Sequence, residues 1–199
     1  IELKNKARDI IEQMNKQGMR VIAVAHKSYL DKTCDFRIED EKDMVLIGYL
    51  AFLDPPKQSA ASAIKQLHEH GIEIKILSGD NDAVVRTIAR QVGIRTDNAL
   101  TGPIFETMSE EEKMKAVNQT TVFSKLTPIQ KTEIITLLQA QQHTVGFLGD
   151  GINDAAALRQ SDIGISVDSA VDIAKESADI ILLEKSLMVL EDGVLEGRK

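Results

Sequence analysis

Tryptophan is absent from this sequence of 199 residues, and aromatic side chains make up only 4% of it. A buried core must therefore be built from isoleucine, leucine, valine and alanine, and a hydrophobic content of 43% is enough to form one of ordinary size. The single cysteine, Cys34, excludes an internal disulfide framework. Such sparse cysteine usage indicates a reducing compartment.

Basic residues are outnumbered by acidic ones, 24 to 31, and the formal net charge is −7. This balance, with no cluster of lysines and arginines, argues against nucleic acid as a partner. No apolar run approaches the length of a membrane span, and no signal peptide opens the chain. The sequence begins at Ile1 without a methionine and ends in charged residues, so we expect a soluble piece excised from a longer protein.

Short apolar, β-branched runs alternate with helical patterns along most of the chain. Helix-length crossovers between these runs predict an α/β protein with a mainly parallel, Rossmann-like sheet. Residues 94–108 show no clear pattern and are interpreted as a connector, and Val122-Phe123 is interpreted as an edge or short strand. The predicted strands cover residues 19–25, 44–53, 72–77, 122–123, 145–148, 163–167 and 180–183.

The segment Asp54-Pro55-Pro56-Lys57 divides the chain. Its two prolines fix the backbone and remove hydrogen-bond donors, so it forms a stiff connector. We therefore predict a domain boundary here. Residues 1–53, with one helix and two strands, form a small α+β part, and residues 54–199 form the larger α/β domain.

Residues 144–166 form the segment with the most candidate functional residues. An apolar strand is followed there by a glycine-rich loop and a helix. Asp150, Asn153 and Asp154 occupy that loop. Carboxylate and amide oxygens at this spacing suit a hard cation such as Mg²⁺. In α/β folds ligands gather at the carboxyl ends of strands, which favours a site here. The alternative is a polar turn with no chemistry.

A second candidate loop, Ser78-Gly79-Asp80, follows the predicted strand over residues 72–77. A hydroxyl at the end of a strand, followed by glycine and the start of a helix, can hold a phosphoryl oxygen through the hydroxyl and the backbone N–H groups. The alternative is an ordinary strand-to-helix loop that only caps the next helix.

A helix is predicted to begin at Thr127-Pro128, with threonine as N-cap and proline in the first position. Ile129 and Ile134 are predicted to face inward. Lys131 lies in the first turn, where the helix dipole disfavours a cation, so an anion nearby is plausible although a solvated lysine is the commoner case. We predict that the Lys131 ammonium lies within hydrogen-bond or one-water reach of the Asp150 or Asp154 carboxylate.

Four motifs, in order along the chain, resemble those of the P-type cation-transporting ATPases, whose phosphorylation domain belongs to the haloacid dehalogenase superfamily. The segment from Asp54 to Lys57 is similar to the D-P-P-R/K hinge of that family. Ser78-Gly79-Asp80 resembles its Thr-Gly-Asp motif, with serine keeping the hydroxyl. The stretch from Phe123 to Lys131, F-S-K-L-T-P-I-Q-K, resembles F-x-R-x-x-P-x-x-K, with Lys125 where arginine is commoner.

The fourth motif is G-D-G-I-N-D-A-A-A-L, from Gly149 to Leu158, which resembles the hinge motif of the same ATPases. The last 23 or so residues, from Ser177 to Lys199, resemble the segment leading to the membrane stalk in bacterial magnesium-transporting members. The resemblance implies that residues 1–53 are the end of a nucleotide-binding domain and residues 54–199 most of a phosphorylation domain.

For the site, the resemblance implies phosphoryl transfer from ATP to an aspartate, followed by hydrolysis that drives the movement of a cation. The resemblance to the magnesium-transporting members implies that this cation is Mg²⁺. Mg²⁺ and ATP would be the cofactors, and a transported divalent cation the partner, at the cytoplasmic face of a cell membrane. The roles carried over are metal binding by Asp150, Asn153 and Asp154, catalysis by Lys131, Ser78, Gly79 and Asp80, and nucleotide contact by Arg20 and Lys125.

The phosphorylated aspartate of the family, in Asp-Lys-Thr-Gly-Thr after a buried strand, has no match in this sequence. Asp31-Lys32-Thr33 lacks the following Gly-Thr and the preceding strand. We expect the chain alone to be inactive, and the sheet to have an open seam where the missing strand belongs. Two other functions stay open: a soluble haloacid-dehalogenase-type phosphatase, which needs an early D-x-D-x-[TV] motif, and a Mg²⁺-binding regulatory module.

Overall fold

The computed structural model describes residues 2–28, 37–53, 55–184 and 186–198. These residues form two compact units, which divide between Asp54 and Pro55. The tripeptide Asp31-Lys32-Thr33 and Cys34 lie outside the described residues, so their interpretation stays a prediction.

The first unit contains helix α1 (Glu2–Lys16) and the antiparallel strands β1 (Met19–His26) and β2 (Val45–Leu53). Gly18 ends α1 with a φ of 82°, a left-handed conformation that suits glycine. The two strands pair from Met19 opposite Leu53 to His26 opposite Val45. Both strands lie close to their predicted ranges.

The second unit alternates helices and strands, as the sequence predicts for an α/β protein. Its elements are α2 (Gln58–Glu69), β3 (Ile76–Leu77), α3 (Asp82–Gln91), β4 (Leu100–Thr101), α4 (Gly102–Glu106), α5 (Glu110–Gln119), β5 (Val122–Ser124), α6 (Pro128–Ala140), β6 (Gly146–Leu148), α7 (Ala155–Gln160), β7 (Ile163–Val167), α8 (Asp172–Ser177), β8 (Ile180–Leu182) and α9 (Met188–Gly197).

The strands of the second unit form two separate parallel sheets, with the orders β3-β5-β4 and β6-β7-β8. The predicted class, α/β and mainly parallel, is confirmed. Leu77 at the end of β3 and Val145 just before β6 pack against the same two hydrophobic cores, so β3 and β6 are the neighbouring edges. In the described part of the chain, β3 pairs only with β5 and β6 only with β7. An open seam was expected in the sheet, and the strands are divided between β3 and β6.

Helix α6 lies across this division. Its Ile134 belongs to the core beneath β5, with Phe105 and Phe123, whereas its Ile135 belongs to the core beneath β6, with Phe147. Consecutive residues of one helix point in directions about 100° apart, which lets one helix cover both sheets. One helix therefore covers both sheets, although none of the described strands of one sheet pairs with a strand of the other.

Two segment predictions are wrong, and a third, the edge or short strand β5, is right only in that the strand is short. The strand predicted over residues 72–77 has only the two residues Ile76 and Leu77, because β5 offers partners to those two alone. The connector over residues 94–108 contains β4 and α4, and Phe105 in α4 is fully buried. Strand β5, interpreted as an edge or short strand, is the central strand of its sheet.

Ile129 was predicted to face inward, but its side chain is 79% exposed. The apolar residues of α6 do not follow a single stripe, because the helix must contact two cores. Its buried residues include Ile134, Ile135 and Leu138, and also the polar Gln130.

Candidate functional site

The site is built from two loops at the carboxyl ends of β3 and β6. We call residues 78–81 the serine loop and residues 149–154 the aspartate loop. Both loops lie near the amino end of α6, because Leu126 N–H donates to the Ser78 carbonyl and Lys131 Nζ donates to Asp154 Oδ1.

Backbone hydrogen bonds from the segment after β5 hold the serine loop. Leu126 N–H donates to the Ser78 carbonyl at 3.0 Å, and Lys125 N–H donates to the Asp80 carbonyl at 2.9 Å. Within the loop, Asp80 N–H donates to the Ser78 hydroxyl at 3.1 Å. Asn81 caps α3 through its side-chain oxygen, so the capping role considered for this loop is present as well. The loop is therefore rigid, with Gly79 exposed at its tip.

A close approach of two backbones keeps Lys125 in position. Lys125 has a φ of 52°, a left-handed conformation that is uncommon outside glycine. A Cβ added to Gly102 would lie only 2.4 Å from the Lys125 carbonyl oxygen and 2.6 Å from Gln130 Oε1. The buried Gln130 side chain in turn donates from Nε2 to the Gly102 carbonyl at 3.0 Å. Glycine is thus required at position 102 to let these segments meet.

The aspartate loop turns sharply before α7. Residues Ile152–Asp154 form a 3-10 turn, and Gly151 N–H donates to Asp154 Oδ2 at 3.2 Å. A Cβ added to Gly149 would lie 2.6 Å from the Asp154 Cβ, so only glycine lets the Asp154 side chain fold back over the start of the loop.

Lys131 contacts the aspartate loop directly. Its Nζ donates to Asp154 Oδ1 at 2.7 Å, and the two side chains are only 11% and 14% exposed. Such a short, poorly solvated ion pair fixes both groups in one geometry. The prediction that Lys131 lies within hydrogen-bond reach of the Asp150 or Asp154 carboxylate is confirmed for Asp154, and the alternative of a solvated lysine is excluded.

Asp150 and Asn153 are exposed beside this ion pair. The Asp150 carbonyl accepts from Val171 N–H at 3.2 Å, which ties the loop to the segment before α8. Because Lys131 already compensates Asp154, the Asp150 carboxylate is the group of this loop best placed to meet a cation. Oxygen-only ligands of this kind fit Mg²⁺, which keeps several waters when a protein binds it.

The described residues contain no cluster of three or more His, Cys, Asp and Glu side chains placed like a complete metal site. The oxygens of the aspartate loop are of the kind that Mg²⁺ binds.

The two predicted nucleotide-binding residues belong to different units. Lys125 is exposed directly after β5, beside the serine loop. Arg20 lies on β1 in the first unit, opposite Phe52. Nothing in the structure tests their nucleotide contacts, which stay predictions.

Sequence reasoning missed several polar residues that support the loops. Ser124 and Ser166 are fully buried, and Asp82 lies at the start of α3. Their side-chain oxygens contact one another or the loop backbone, as described below. No sequence pattern marks these residues, because burial of a serine depends on which strands become neighbours.

Comparisons with known proteins agree with this geometry. A family model described as haloacid dehalogenase-like hydrolase matches residues 3–162. The chain is 52% identical over 194 residues, or 98% of its length, to the magnesium-transporting ATPase, P-type 1, of Escherichia coli strain K12, of which it covers 22%. It is also 34% identical over 206 residues to the endoplasmic reticulum calcium ATPase srcA of Aspergillus fumigatus, covering 96% of this chain and 21% of that protein.

A calcium-transporting ATPase of Listeria monocytogenes is 34% identical over 199 residues, which is 99% of this chain and 23% of that protein. The chain thus spans about a fifth of the length of these relatives. The resemblance to P-type cation-transporting ATPases inferred from the four motifs is confirmed. No helix in the part of the chain that the structure describes is both long and apolar enough to cross a bilayer.

Proposed function

Because the chain belongs to the haloacid dehalogenase-like hydrolase family, we propose that it is the phosphoryl-handling part of an ATP-driven cation transporter. The observation that carries this proposal is the ion pair between Lys131 and Asp154, 2.7 Å long, beside the exposed Asp150. These residues stand in the motifs that resemble those of P-type ATPases. The cation is assigned as Mg²⁺ because the relative with 52% identity is magnesium-transporting by name.

The chemistry of the site is positioning and charge neutralisation. Asp150 would hold Mg²⁺, and Asn153 and Asp154 would support it. When bound, Mg²⁺ neutralises charge on the phosphoryl oxygens. Ser78 contributes its hydroxyl, and the Gly79 amide and the Lys131 ammonium contact the remaining oxygens. Asp80 belongs to the same catalytic loop.

The nucleophile comes from a segment outside this chain. Asp154 is engaged by Lys131, and Asp150 is assigned to the metal, so neither is available to attack phosphorus. The edges of β3 and β6 that face each other can accept one more parallel strand. A carboxylate at the end of that strand would lie between the serine loop and the aspartate loop. Its oxygen would attack the γ-phosphorus of ATP while the bond to the β-phosphate oxygen breaks and ADP leaves.

The assignment of the units follows the same resemblance. Residues 1–53 are the end of a nucleotide-binding domain, with Arg20 directed to ATP, and residues 54–199 are the phosphorylation domain without its nucleophile strand. In the longer protein both lie at the cytoplasmic face of the membrane, and Lys125 supports nucleotide binding. Alone, the chain is inactive as an ATPase.

The test is transfer of radiolabel from [γ-³²P]ATP in the presence of Mg²⁺, followed by acid quench and mapping. The chain is assayed alone and with a peptide in which an apolar strand precedes Asp-Lys-Thr-Gly-Thr. Label should appear on the aspartate of the peptide only when both parts are present. The controls are the same peptide with asparagine in place of that aspartate, and the Lys131→Met chain, each of which should abolish labelling.

Three results would contradict the proposal. Label on Asp31 in the chain alone would mean that the nucleophile lies within it. Hydrolysis of phosphate monoesters by the chain alone would favour the soluble phosphatase instead. Absence of label with the intact peptide, although the peptide binds, would show that the seam does not receive a nucleophile.

A further inference from the structure

Two serine side chains in the second unit have no exposed surface at all. Ser124 and Ser166 are both 0% exposed. A buried hydroxyl costs stability unless it is hydrogen-bonded, so a fully buried serine is expected to have a specific hydrogen-bond partner. Alanine would fill nearly the same space without that cost.

The two serines occupy equivalent positions in the two sheets. In the first sheet Leu77 of β3 pairs with Phe123 of β5, so Ser124 is level with the start of the serine loop. In the second sheet Leu148 of β6 pairs with Ile165 of β7, so Ser166 is level with Gly149 at the start of the aspartate loop. Each serine therefore lies on the strand next to the one that carries the site loop.

The hydroxyl of Ser124 fixes the end of the serine loop. It donates to Asp82 Oδ1 at 2.8 Å, and Asp82 is the first residue of α3, directly after the loop. The other oxygen, Asp82 Oδ2, accepts from Arg86 Nε at 2.7 Å. Arg86 also donates from Nη1 to the Thr96 carbonyl at 2.8 Å. Ser124 thereby joins β5 to a side-chain network that sets where the loop becomes a helix.

The hydroxyl of Ser166 fixes the start of the aspartate loop. It donates to the Gly149 carbonyl at 2.8 Å. The N–H of the same Gly149 donates to the Ile165 carbonyl at 3.1 Å. Gly149 is thus held to β7 through both its N–H and its carbonyl, one residue before Asp150. A rotation of that residue would move Asp150, the next residue of the aspartate loop.

We propose that Ser124 and Ser166 are positioning residues of the site, each holding one loop from the neighbouring strand. The proposal rests on the proposed function, in that the loops are taken to bind Mg²⁺ and a phosphoryl group. Neither serine touches those groups. Each acts through a loop: Ser124 through Asp82 on the serine loop, and Ser166 through Gly149 on the aspartate loop.

The first arm of the test needs no ligand. Amide hydrogen exchange and amide chemical shifts are measured by NMR on the 199-residue chain carrying Ser124→Ala or Ser166→Ala. Ser124→Ala should speed exchange at residues 78–82 by about two- to tenfold, the range that one net hydrogen bond supplies, and leave residues 149–154 unchanged. Ser166→Ala should give the reverse pattern.

Ser177→Ala is the matched control. Ser177 is only 7% exposed, and its hydroxyl donates to the Ile173 carbonyl at 2.7 Å within α8, so the same kind of bond is lost. This variant should lower global stability without changing either loop selectively. Equal changes at both loops in all three variants, or no change at the loops in the serine variants, would overturn the proposal.

The second arm measures Mg²⁺ binding by titration of the same proteins. Ser166→Ala should raise the Kd for Mg²⁺ by about two- to tenfold. Ser124→Ala and Ser177→Ala should leave the Kd within about twofold of that of the unsubstituted chain. Unchanged Mg²⁺ affinity in Ser166→Ala would refute the positioning role of Ser166. If the unsubstituted chain binds no Mg²⁺, the proposed function fails, while the exchange pattern of the first arm still decides whether the serines hold the loops.

Should an alanine variant fail to fold, Ser124→Cys and Ser166→Cys replace it, since a thiol is close in size and keeps a weak donor. Each cysteine variant should show the same loop-selective change, smaller than that of alanine. A cysteine variant with loops indistinguishable from those of the Ser177→Ala control would overturn the proposal.

Discussion

The two halves of the site are held in different ways. The serine loop is fixed largely by neutral contacts: backbone hydrogen bonds from residues 125 and 126, and the close packing of Gly102 on the Lys125 carbonyl. The aspartate loop carries the charged groups and is fixed by an ion pair from another element, Lys131 on α6.

This difference follows from what each loop is proposed to bind. A loop that meets phosphoryl oxygens can use N–H groups, whose positions are set by the backbone and by glycines. A loop that meets a cation must present carboxylates, and carboxylates close together repel one another unless a lysine compensates one of them. Substitutions that add side-chain volume should therefore disturb the serine loop most, and substitutions that remove a charge should disturb the aspartate loop most.

The largest effect is expected for Gly102→Ala, which tests the sensitivity to volume. The added Cβ would lie 2.4 Å from a backbone oxygen, which has little freedom to move. We expect a loss of about 3 kcal/mol or more in the free energy of unfolding, at the upper end of the range for overpacking. Urea denaturation followed by circular dichroism measures it.

Gly193→Ala is the control for this substitution. It changes a glycine in α9 whose added Cβ would meet nothing within 4 Å. Because alanine favours helix more than glycine does, this variant should be more stable by up to about 1 kcal/mol. Similar losses in both variants would show that the contact between Gly102 and Lys125 is not what keeps the serine loop in place.

The next effect tests the sensitivity to charge. Lys131→Met leaves Asp154 without its ammonium partner at only 14% exposure, so the free energy of unfolding should fall by about 2 to 3 kcal/mol. Removing both charges, in Lys131→Met with Asp154→Asn, should recover part of the loss. A double-mutant cycle should give a coupling energy of about 1 to 3 kcal/mol.

A solvated ion pair of the same unit provides the comparison. Lys175 contacts Asp172 at 3.2 Å, but the Asp172 side chain is 92% exposed. Lys175→Met should therefore cost less than about 1 kcal/mol. A coupling energy near zero for Lys131 and Asp154 would mean that the aspartate loop keeps its geometry without the ion pair.

Much of this arrangement is predictable from local sequence. The N-cap predicted at Thr127 is present at the start of α6, as one half of a capping box with Gln130. The aspartate loop and the proximity of Lys131 to Asp154 were also predicted, because residue types and helix position carry the signal locally. Strand-and-helix alternation likewise indicates the α/β class before any tertiary contact is known.

The parts that sequence reasoning did not find depend on contacts distant in the chain. Strand β3 is short because its ladder is set by β5, about 45 residues later. Ile129 is exposed because α6 divides its apolar residues between two cores. Ser124 and Ser166 are neutral, common residues, and only the order of the strands buries them beside the loops.

A smaller effect is expected at the end of the segment that holds the serine loop. The Thr127 hydroxyl accepts from Gln130 N–H at 3.3 Å, and Gln130 Oε1 accepts from Thr127 N–H at 3.0 Å. Thr127→Ala removes one half of this box and should cost about 1 kcal/mol. Thr127→Ser keeps the hydroxyl and should cost less than half as much. Equal losses would assign the effect to the methyl group instead of the cap.

The smallest effect is expected for the ion pair between α5 and α6, next to Phe105 of the core that Leu77 also contacts. Lys113 Nζ donates to Glu133 Oε1 at 2.6 Å and lies 5.3 Å from the centre of the Phe105 ring. The hydrogen bond to Glu133 raises the pKa of Lys113 above its ordinary value of 10.5. A raised pKa contributes stability that is complete below the unfolded-state pKa and is lost as the pH rises through the folded-state pKa.

Glu133→Gln keeps an oxygen that can accept from Lys113 and removes only the charge. We expect it to lower the free energy of unfolding by about 0.5 kcal/mol at neutral pH, since Glu133 is 29% exposed and solvent screens the pair. The difference from the unsubstituted chain should stay constant up to about pH 10 and shrink above it, as Lys113 loses its proton in both proteins. Urea denaturation between pH 7 and pH 11.5 measures this profile. If the difference in the free energy of unfolding disappears below pH 9, a group other than Lys113 causes it. The ion pair between Lys113 and Glu133 would then not stabilise this part of the unit.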